Sequence, residues 1–234
     1  MIKPTLNNTI LQILLFIGLI YHGDLVELVT PYSKNPQRLV KTVKDLDLVI
    51  HDKTKNLIIL SPKSNKILSE KYSTKASKSI IDSHDLITAK ALFWCLQKLE
   101  INQIEIEKRI IGTSLQVDLF IKTKDNLELY IESDNGTEGK KELNNKVINY
   151  DNLDLSNSRI IFITNSNRSL EQLEQLSNTR PKMSVIDAST LSEKLDNAIF
   201  SQNNTSSITT TNTINIFDPV NLDMNQIQNY ILSL

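Results

Sequence analysis

Glycine, cysteine and histidine are scarce in this chain of 234 residues, and each shortage excludes a kind of site. There are 5 glycines, and neither G-x-x-x-x-G-K-[ST] nor G-x-G-x-x-G occurs, so a glycine cradle for nucleotide phosphates is excluded. Cys95 is the single cysteine, which rules out an internal disulfide and a cysteine-rich zinc site. The three histidines, His22, His51 and His84, are too widely spaced to indicate a metal cluster.

The chain also lacks a hydrophobic run long enough for a bilayer. The strongly apolar stretch from Ile10 to Tyr21 is shorter than the roughly 20 residues that a membrane-spanning helix needs. Only Lys3 precedes it as a basic residue, and no small-residue cleavage site follows, so a secretory signal is not indicated. We therefore expect a buried helix here, no membrane partner and a cytoplasmic protein.

Charge is unevenly distributed along the chain, although the net charge is only -1. Residues 1–80 contain 12 Lys and Arg against 6 Asp and Glu, and the remaining residues contain 14 against 21. The first part is therefore basic and the second part acidic. This asymmetry indicates that the N-terminal part meets a polyanion.

Residues 1–72 are predicted to form a winged helix-turn-helix domain. Apolar residues at helical spacing indicate three helices, and two β-rich runs around a polar turn indicate a hairpin after them. Pro36 fits the first turn of the third helix, where no backbone donor is lost, and Asp24 is the expected cap of the second. The predicted helices cover residues 5–20, 25–29 and 36–46, and the predicted hairpin strands cover 47–51 and 57–60.

Basic side chains of this domain form the expected DNA surface. Along the third helix they recur at steps of four, three and three, on a different stripe from the apolar face. Two more lysines lie at the hairpin tip. In a winged helix these two elements meet the major groove and the DNA backbone, whereas the alternative is an ordinary solvated basic face. The predicted residues for binding double-stranded DNA are Lys34, Arg38, Lys41, Lys44, Lys53 and Lys55.

The rest of the chain is predicted to hold one α/β domain between two polar segments. A Lys- and Ser-rich linker covers residues 73–82, and the domain covers 83–200 with the element order α-β-β-β-α-β. Its fourth strand, 159–164, is apolar throughout, as expected of a central strand. Residues 201–217, rich in Asn, Thr and Ser, are predicted to be a disordered linker. Residues 218–234 are expected to form a short helix or a docking peptide for a protein partner.

Carboxylates lie within or at the ends of apolar strands in this second domain. Asp118 interrupts one strand, and Glu132 and Asp134 end the next on the same side, because side chains alternate along a strand. A carboxylate among β-branched residues is costly unless it is paired, hydrated or bound to a metal. Together with Glu107 on the preceding strand, these residues predict a hard-oxygen site for Mg²⁺ or Mn²⁺. Lys146, on the following helix, is predicted to place a positive group near the attacking water.

Six stretches of the chain follow one another in an order that resembles a known pattern. They are HDL from His84, EIEKRI from Glu105, VDLF around Asp118, YIESDNGTE from Tyr130, KVINY from Lys146 and IIFITNSNR ending at Arg168. Together they resemble the PD-(D/E)XK nuclease superfamily and, more closely, the plasmid replication-relaxation family.

Proteins of the plasmid replication-relaxation family also carry an N-terminal winged helix, so the resemblance covers residues 5–175. It implies a restriction-endonuclease-like domain and a role in plasmid replication, DNA relaxation or mobilisation of a mobile genetic element. The catalytic residues that it implies are Asp118, Glu132, Asp134 and Lys146.

The third strand departs from the nuclease pattern. That pattern has Glu-x-Lys, whereas this chain has Glu132-Ser133-Asp134, and Asp cannot donate to a water as Lys does. A third carboxylate can bind a second metal, with Lys146 or Lys141 substituting from the helix. Equally, the site can be inactive and the fold retained for binding.

Three functions therefore stay open. The first is a metal-dependent DNA endonuclease. The second is a non-enzymatic winged-helix regulator or relaxosome accessory protein, whose second domain forms a homodimer. The third is a protein-interaction module that works through its C-terminal segment, with DNA binding incidental.

Overall fold

The computed structural model describes residues 6–45, 49–62, 66, 83–153 and 155–200. Among these residues, an N-terminal unit extends to Lys98 and a C-terminal unit begins at Leu99. Both units combine helices with a sheet, so the chain is a mixed α/β protein, which confirms the predicted class at that level. The predicted linkers and the predicted docking segment, residues 73–82, 201–217 and 218–234, lie outside the described residues.

The N-terminal unit contains the three helices and the hairpin that the sequence predicts. A single 3₁₀ turn, Thr30–Tyr32, separates the second helix from the third. In chain order the elements are α1 (Leu6–Ile17), β1 (Leu19–Tyr21), α2 (His22–Val29), α3 (Pro36–Lys44), β2 (Val49–Asp52), β3 (Leu57–Leu60) and α4 (Ser83–Lys98).

The first helix is shorter than predicted, and a strand follows it. Gly18 ends α1 with φ +85°, a left-handed conformation that glycine adopts at little cost, and its N–H donates to Leu14 O at 2.9 Å. Leu19–Tyr21 then pairs with β3. The prediction of one helix over residues 5–20 is wrong at its end, because a short apolar run fits a buried helix and a strand equally well.

The starts of the next two helices differ in how well the sequence locates them. α2 begins at His22, earlier than predicted, and Asp24 lies inside its first turn instead of capping it. A carboxylate there still faces the positive end of the helix dipole. α3 begins at Pro36 as predicted, and the Asn35 side chain accepts a hydrogen bond from Arg38 N at 3.1 Å.

A three-stranded antiparallel sheet of order β1-β3-β2 completes this unit. Asp52 fixes the turn between β2 and β3, because its Oδ1 accepts hydrogen bonds from Thr54 N at 2.9 Å and Lys55 N at 3.2 Å. Asn56 closes the turn with φ +56°, which asparagine tolerates better than most residues. The turn therefore holds the two hairpin lysines, Lys53 and Lys55, on the surface.

The long helix α4 packs within the N-terminal unit. It contacts α1 and α2, and Lys90 Nζ lies 2.5 Å from Glu27 Oε1 of α2. The rings of Tyr32 and Phe93 are in contact, with centroids 4.7 Å apart. The C-terminal unit therefore begins after α4, whereas the sequence predicts a domain that begins at residue 83. Helical periodicity shows that a helix has a buried face, but not which core that face covers.

The C-terminal unit alternates strands and helices around one sheet. Its elements are β4 (Ile101–Arg109), β5 (Gln116–Thr123), β6 (Glu128–Asp134), α5 (Lys140–Asp151), β7 (Ser158–Thr164), α6 (Asn167–Ser177), β8 (Met183–Asp187) and α7 (Leu191–Phe200). The mixed five-stranded sheet has the order β4-β5-β6-β7-β8. β4, β5 and β6 form an antiparallel meander, and β7 and β8 continue parallel to β6. The order from α4 to β7 agrees with the predicted α-β-β-β-α-β.

A row of aromatic rings joins the sheet to α5. Phe120, Tyr130, Tyr150 and Phe162 contact one another in sequence, with centroids 5.3, 5.9 and 6.2 Å apart. Leu143 and Val147 of α5 belong to the same core. β7 pairs on both sides and is buried along its whole length, as predicted for a central strand. α5 therefore covers the sheet face that carries Tyr130 and, two residues on, Glu132.

Candidate functional site

Asp118 lies where β5 changes face. Val117 and Phe120 both pack in the core beneath α5, although strict alternation would put them on opposite faces. On β4, the position opposite Asp118 is Glu107, which has φ +52° and is skipped in the ladder of paired residues. The Asp118 side chain reaches the end of β6, where its Oδ2 accepts a hydrogen bond from Ser133 N at 2.8 Å.

Glu132 of β6 is buried near Asp118 and is contacted from α5. Tyr150 Oη donates to Glu132 Oε1 at 2.5 Å, and Lys146 Nζ lies 3.3 Å from Glu132 Oε2. Lys146 and Tyr150 are four residues apart, so one helical face presents both of them to the strand. Three elements thus bring two carboxyl groups and an ammonium group together, an arrangement named here the Asp118–Glu132–Lys146 cluster.

Burial and neighbouring charges together determine the protonation of this cluster. It raises the pKa of Glu132 to about 8; the Lys146 ammonium opposes that shift, whereas Asp118 adds to it through its charge and a hydrogen bond between the two carboxyl groups. Desolvation lowers the pKa of Lys146, but the neighbouring carboxyl groups, Glu132 foremost, raise it above its ordinary value. Burial and Glu132 also raise the pKa of Tyr150. The surroundings therefore favour a charged Lys146, a neutral Tyr150 phenol and the protonated form of Glu132.

Asp134 is buried on the same strand but belongs to a different network. Its Oδ1 accepts a hydrogen bond from Gly136 N at 3.0 Å, and its Oδ2 accepts one from Thr164 Oγ1 at 2.8 Å. Gly136 has φ +83°, and a Cβ there would lie 2.7 Å from the Cβ of Ser166, so the turn requires glycine. Both oxygens of Asp134 are therefore engaged in fixing the turn that follows β6.

Glu107, the fourth predicted metal ligand, is exposed. Within the part of the chain that the structure describes, no group of three or more His, Cys, Asp or Glu side chains forms a metal site. Besides Glu138, the carboxyl groups near Lys146 are those of Asp118 and Glu132, and Glu132 Oε2 accepts no hydrogen bond from a described residue. Proteins often hold Mg²⁺ through one or two carboxylates together with water and substrate phosphate.

Tyr150 and Glu138 are the residues of this site that the sequence does not reveal. A tyrosine on an amphipathic helix is expected in the core, where Tyr150 lies, but nothing in the sequence shows its hydroxyl on Glu132. Glu138 has the spacing for a surface pair with Lys141, yet its Oε1 accepts a hydrogen bond from Lys146 Nζ at 2.7 Å. The signal that could have identified Tyr150 is its four-residue spacing from Lys146 on the helix that follows β6, which places both side chains on one helical face.

All six predicted DNA-binding residues of the N-terminal unit are accessible to solvent. Three lie on α3, one precedes that helix, and two lie in the hairpin turn. α3 contacts β2 of the hairpin within this unit. The exposed residues are Lys34, Arg38, Lys41, Lys53 and Lys55, and Lys44 is half-buried.

No known protein family, curated protein or solved structure matches this chain. Across the described ranges, no helix combines the length and the apolar character needed to cross a membrane. A function for the protein must therefore be inferred from its own residues and their geometry.

Proposed function

We propose that this protein binds double-stranded DNA through its N-terminal unit and cleaves DNA with Mg²⁺ or Mn²⁺ at the Asp118–Glu132–Lys146 cluster. The observation that carries the proposal is the convergence of these three side chains from β5, β6 and α5. An ammonium group beside two carboxyl groups suits a phosphodiester, whose negative charge must be neutralised as its bond breaks. The resemblance to PD-(D/E)XK nucleases supports the same assignment, because it depends on the same residues.

Each residue of the cluster has a separate task in this proposal. Asp118 and Glu132 would hold the metal ion, which supplies positive charge at the phosphate and a more acidic water when bound. Glu132 must release its proton to do so, and a cation is the neighbour that lowers a raised carboxyl pKa. Lys146 would neutralise a phosphate oxygen, in place of the lysine that the nuclease pattern has at position 134. Tyr150 would hold the second oxygen of Glu132 in position.

The architecture of the N-terminal unit supports the DNA-binding part of the proposal. Its helix-strand-helix-helix-strand-strand order suits a winged helix, in which the third helix enters the major groove. Exposed basic residues on α3 and at the hairpin turn supply phosphate contacts. The sequence resemblance to the plasmid replication-relaxation family further supports an origin of replication or transfer as the DNA target.

The double variant Arg38→Ala/Lys41→Ala tests the DNA-binding part. We expect duplex affinity to fall by about tenfold or more. The slope of log affinity against log salt concentration should become smaller in magnitude by about two, because each phosphate contact contributes about one to that slope. Fluorescence anisotropy at several salt concentrations measures both quantities. Lys98→Ala/Lys194→Ala removes the same charge from exposed positions outside α3 and serves as the control. Wild-type affinity and salt dependence in the first variant would contradict the proposal.

Calorimetric titration with Mn²⁺ tests the metal-binding part. We expect heat of binding in the wild type that disappears in Asp118→Ala, because that variant removes one of the two carboxylate ligands. Glu107→Ala is the matched control, and it should bind Mn²⁺ like the wild type because its side chain is exposed. Absence of binding to the wild type would remove the metal from the proposal.

A non-enzymatic DNA-binding regulator or relaxosome accessory protein, with the C-terminal unit used for homodimerisation, is the second candidate. Two observations favour it. Asp134 stands where the nuclease pattern has lysine, and Glu132 is buried against Lys146 and Tyr150. This candidate predicts specific binding to a near-palindromic DNA site without a metal requirement. Asp118→Asn should then leave function intact.

A further inference from the structure

Glu138 occupies the solvent side of the Asp118–Glu132–Lys146 cluster. Its Oε1 lies 2.7 Å from Lys146 Nζ, closer than Glu132 Oε2 at 3.3 Å. Side-chain exposure rises from 1% for Glu132 to 20% for Lys146 and 28% for Glu138. The Glu138 carboxylate therefore covers the side of the ammonium group that faces water.

The loop that carries Glu138 is held in place by contacts that do not involve its carboxylate. Arg168 Nη2 donates to Gly136 O at 3.2 Å and to Glu138 O at 3.1 Å, and Arg168 is exposed. At the start of α5, Gly139 N donates to Glu142 Oε2 at 2.7 Å. Two cations thus flank Glu138, Lys146 at its side chain and Arg168 at its carbonyl. The side chain can change without removing the contacts that shape the loop.

The Glu138 carboxylate is incompletely bonded where it lies. Its Oε2 is buried and has no hydrogen-bond partner among the described residues. A buried carboxylate oxygen without a partner keeps the cost of its lost hydration, which weakens the hold of the Glu138 carboxylate on this position. A phosphate group carries the same sign of charge and more acceptor oxygens, and guanidinium and ammonium groups both bind it well.

We propose that Glu138 is an internal competitor for phosphate: its carboxylate occupies Lys146 in the free protein, and a phosphate oxyanion displaces it and binds between Lys146 and Arg168. This inference rests on the proposed function, which makes a DNA phosphodiester the source of the oxyanion. Free inorganic phosphate offers the same chemistry. Displacement would leave Lys146 in contact with phosphate beside the two carboxyl groups of the cluster.

Calorimetric titration of the full chain with inorganic phosphate tests this inference. We expect Glu138→Gln to bind phosphate about fivefold to tenfold more tightly than the wild type, because the substitution removes a charge-assisted competitor of modest strength. The gain should disappear in Glu138→Gln/Lys146→Gln. Glu171→Gln, which removes an exposed glutamate of α6, controls for net charge. Circular dichroism checks that the variants fold. If Glu138→Gln does not fold, Glu138→Asp takes its place. It retains the charge on a shorter side chain and should show a smaller gain in phosphate affinity.

Unchanged phosphate affinity in folded Glu138→Gln, or an equal gain in Glu171→Gln, would overturn the inference. Titration with short duplex DNA in the Arg38→Ala/Lys41→Ala background separates the two sources of phosphate. A gain for duplex and inorganic phosphate supports a phosphodiester ligand, whereas a gain for inorganic phosphate alone supports free phosphate. If the wild type does not cleave DNA but Glu138→Gln shows the phosphate gain, the nuclease function is refuted and this inference stands. If the wild type cleaves DNA and Glu138→Gln shows no gain, this inference is refuted and the nuclease function stands.

Discussion

The two units of the molecule carry their charges in opposite ways. The N-terminal unit places basic side chains such as Arg38 and Lys41 on its surface, whereas the C-terminal unit buries Glu132, Asp134 and most of Lys146. Exposed charges act nearly independently and are screened by salt. Buried charges are coupled, so each one alters the protonation and the cost of its neighbours. Changes in the buried set should therefore alter stability, while changes in the exposed set should alter DNA affinity.

Removal of the buried cation should have the largest effect on stability. Lys146→Met removes the ammonium group that lies 2.7 Å from Glu138 Oε1 and 3.3 Å from Glu132 Oε2, and we expect the free energy of unfolding to fall by about 2–3 kcal/mol. Urea denaturation at pH 7 measures the change. Lys141→Met, at an exposed position of the same helix, should change it by less than about 0.5 kcal/mol. Equal losses in the two variants would show that burial gives Lys146 no special role.

Glu132 should make stability fall as pH rises. Its pKa is about 8 in the folded protein against an ordinary value of 4.5, so the folded state keeps a proton that the unfolded chain releases between those values. The contribution is fully present below the lower value, and we expect it to be lost progressively between about pH 5 and pH 8. Glu132→Gln has no carboxyl group to titrate and should flatten this slope. Urea denaturation across the range tests the idea, which fails if the slope is the same in both proteins.

The hydrogen bond between Tyr150 and Glu132 should contribute less than the cation. Tyr150→Phe removes the donor at 2.5 Å and leaves a buried carboxyl oxygen unbonded, at an expected cost of about 1–2 kcal/mol. Tyr130→Phe is the matched control, because its hydroxyl donates to the partly exposed Glu128 at 2.9 Å. Thermal unfolding of both variants compares the two sites. A larger loss in Tyr130→Phe would contradict the ranking.

Exposed lysines of the hairpin should have the smallest effect on stability. Lys53→Ala/Lys55→Ala should leave the free energy of unfolding within about 0.5 kcal/mol of the wild type, because surface charges contribute little. Duplex DNA affinity should nevertheless fall, and its salt dependence should become shallower. Parallel denaturation and anisotropy measurements test both statements. A marked loss of stability with unchanged DNA affinity would reverse the contrast between the two units.

Helices and strands with a single strong signal could be predicted from the sequence. The proline at position 36 located the start of α3, and the apolar run after Ser158 identified β7 as a central strand. The strand β1 was missed because Leu19–Tyr21 continues an apolar run, and the left-handed conformation of Gly18 breaks the helix without any polar residue. Local patterns therefore identify elements better than the points where one element changes into another.

The site could be predicted only in part. Asp118, Glu132 and Lys146 were identified because charged residues within or beside apolar strands are unusual, and the structure brings them together. The same pattern grouped Asp134 with them, since alternation gives the side of a strand but not the hydrogen bonds at its end. The role of Glu138 was not predictable, because it depends on the turn that Gly136 allows.

Nicking of supercoiled plasmid DNA in the presence of Mn²⁺ tests most directly whether the cluster is a nuclease site. We expect the wild type to nick the plasmid only when the metal ion is present, and Asp118→Asn not to nick it, with Glu107→Gln as an active control. Wild-type and Asp118→Asn proteins that bind the plasmid equally well and leave it supercoiled would contradict it, and the protein would then be a DNA-binding regulator without nuclease activity.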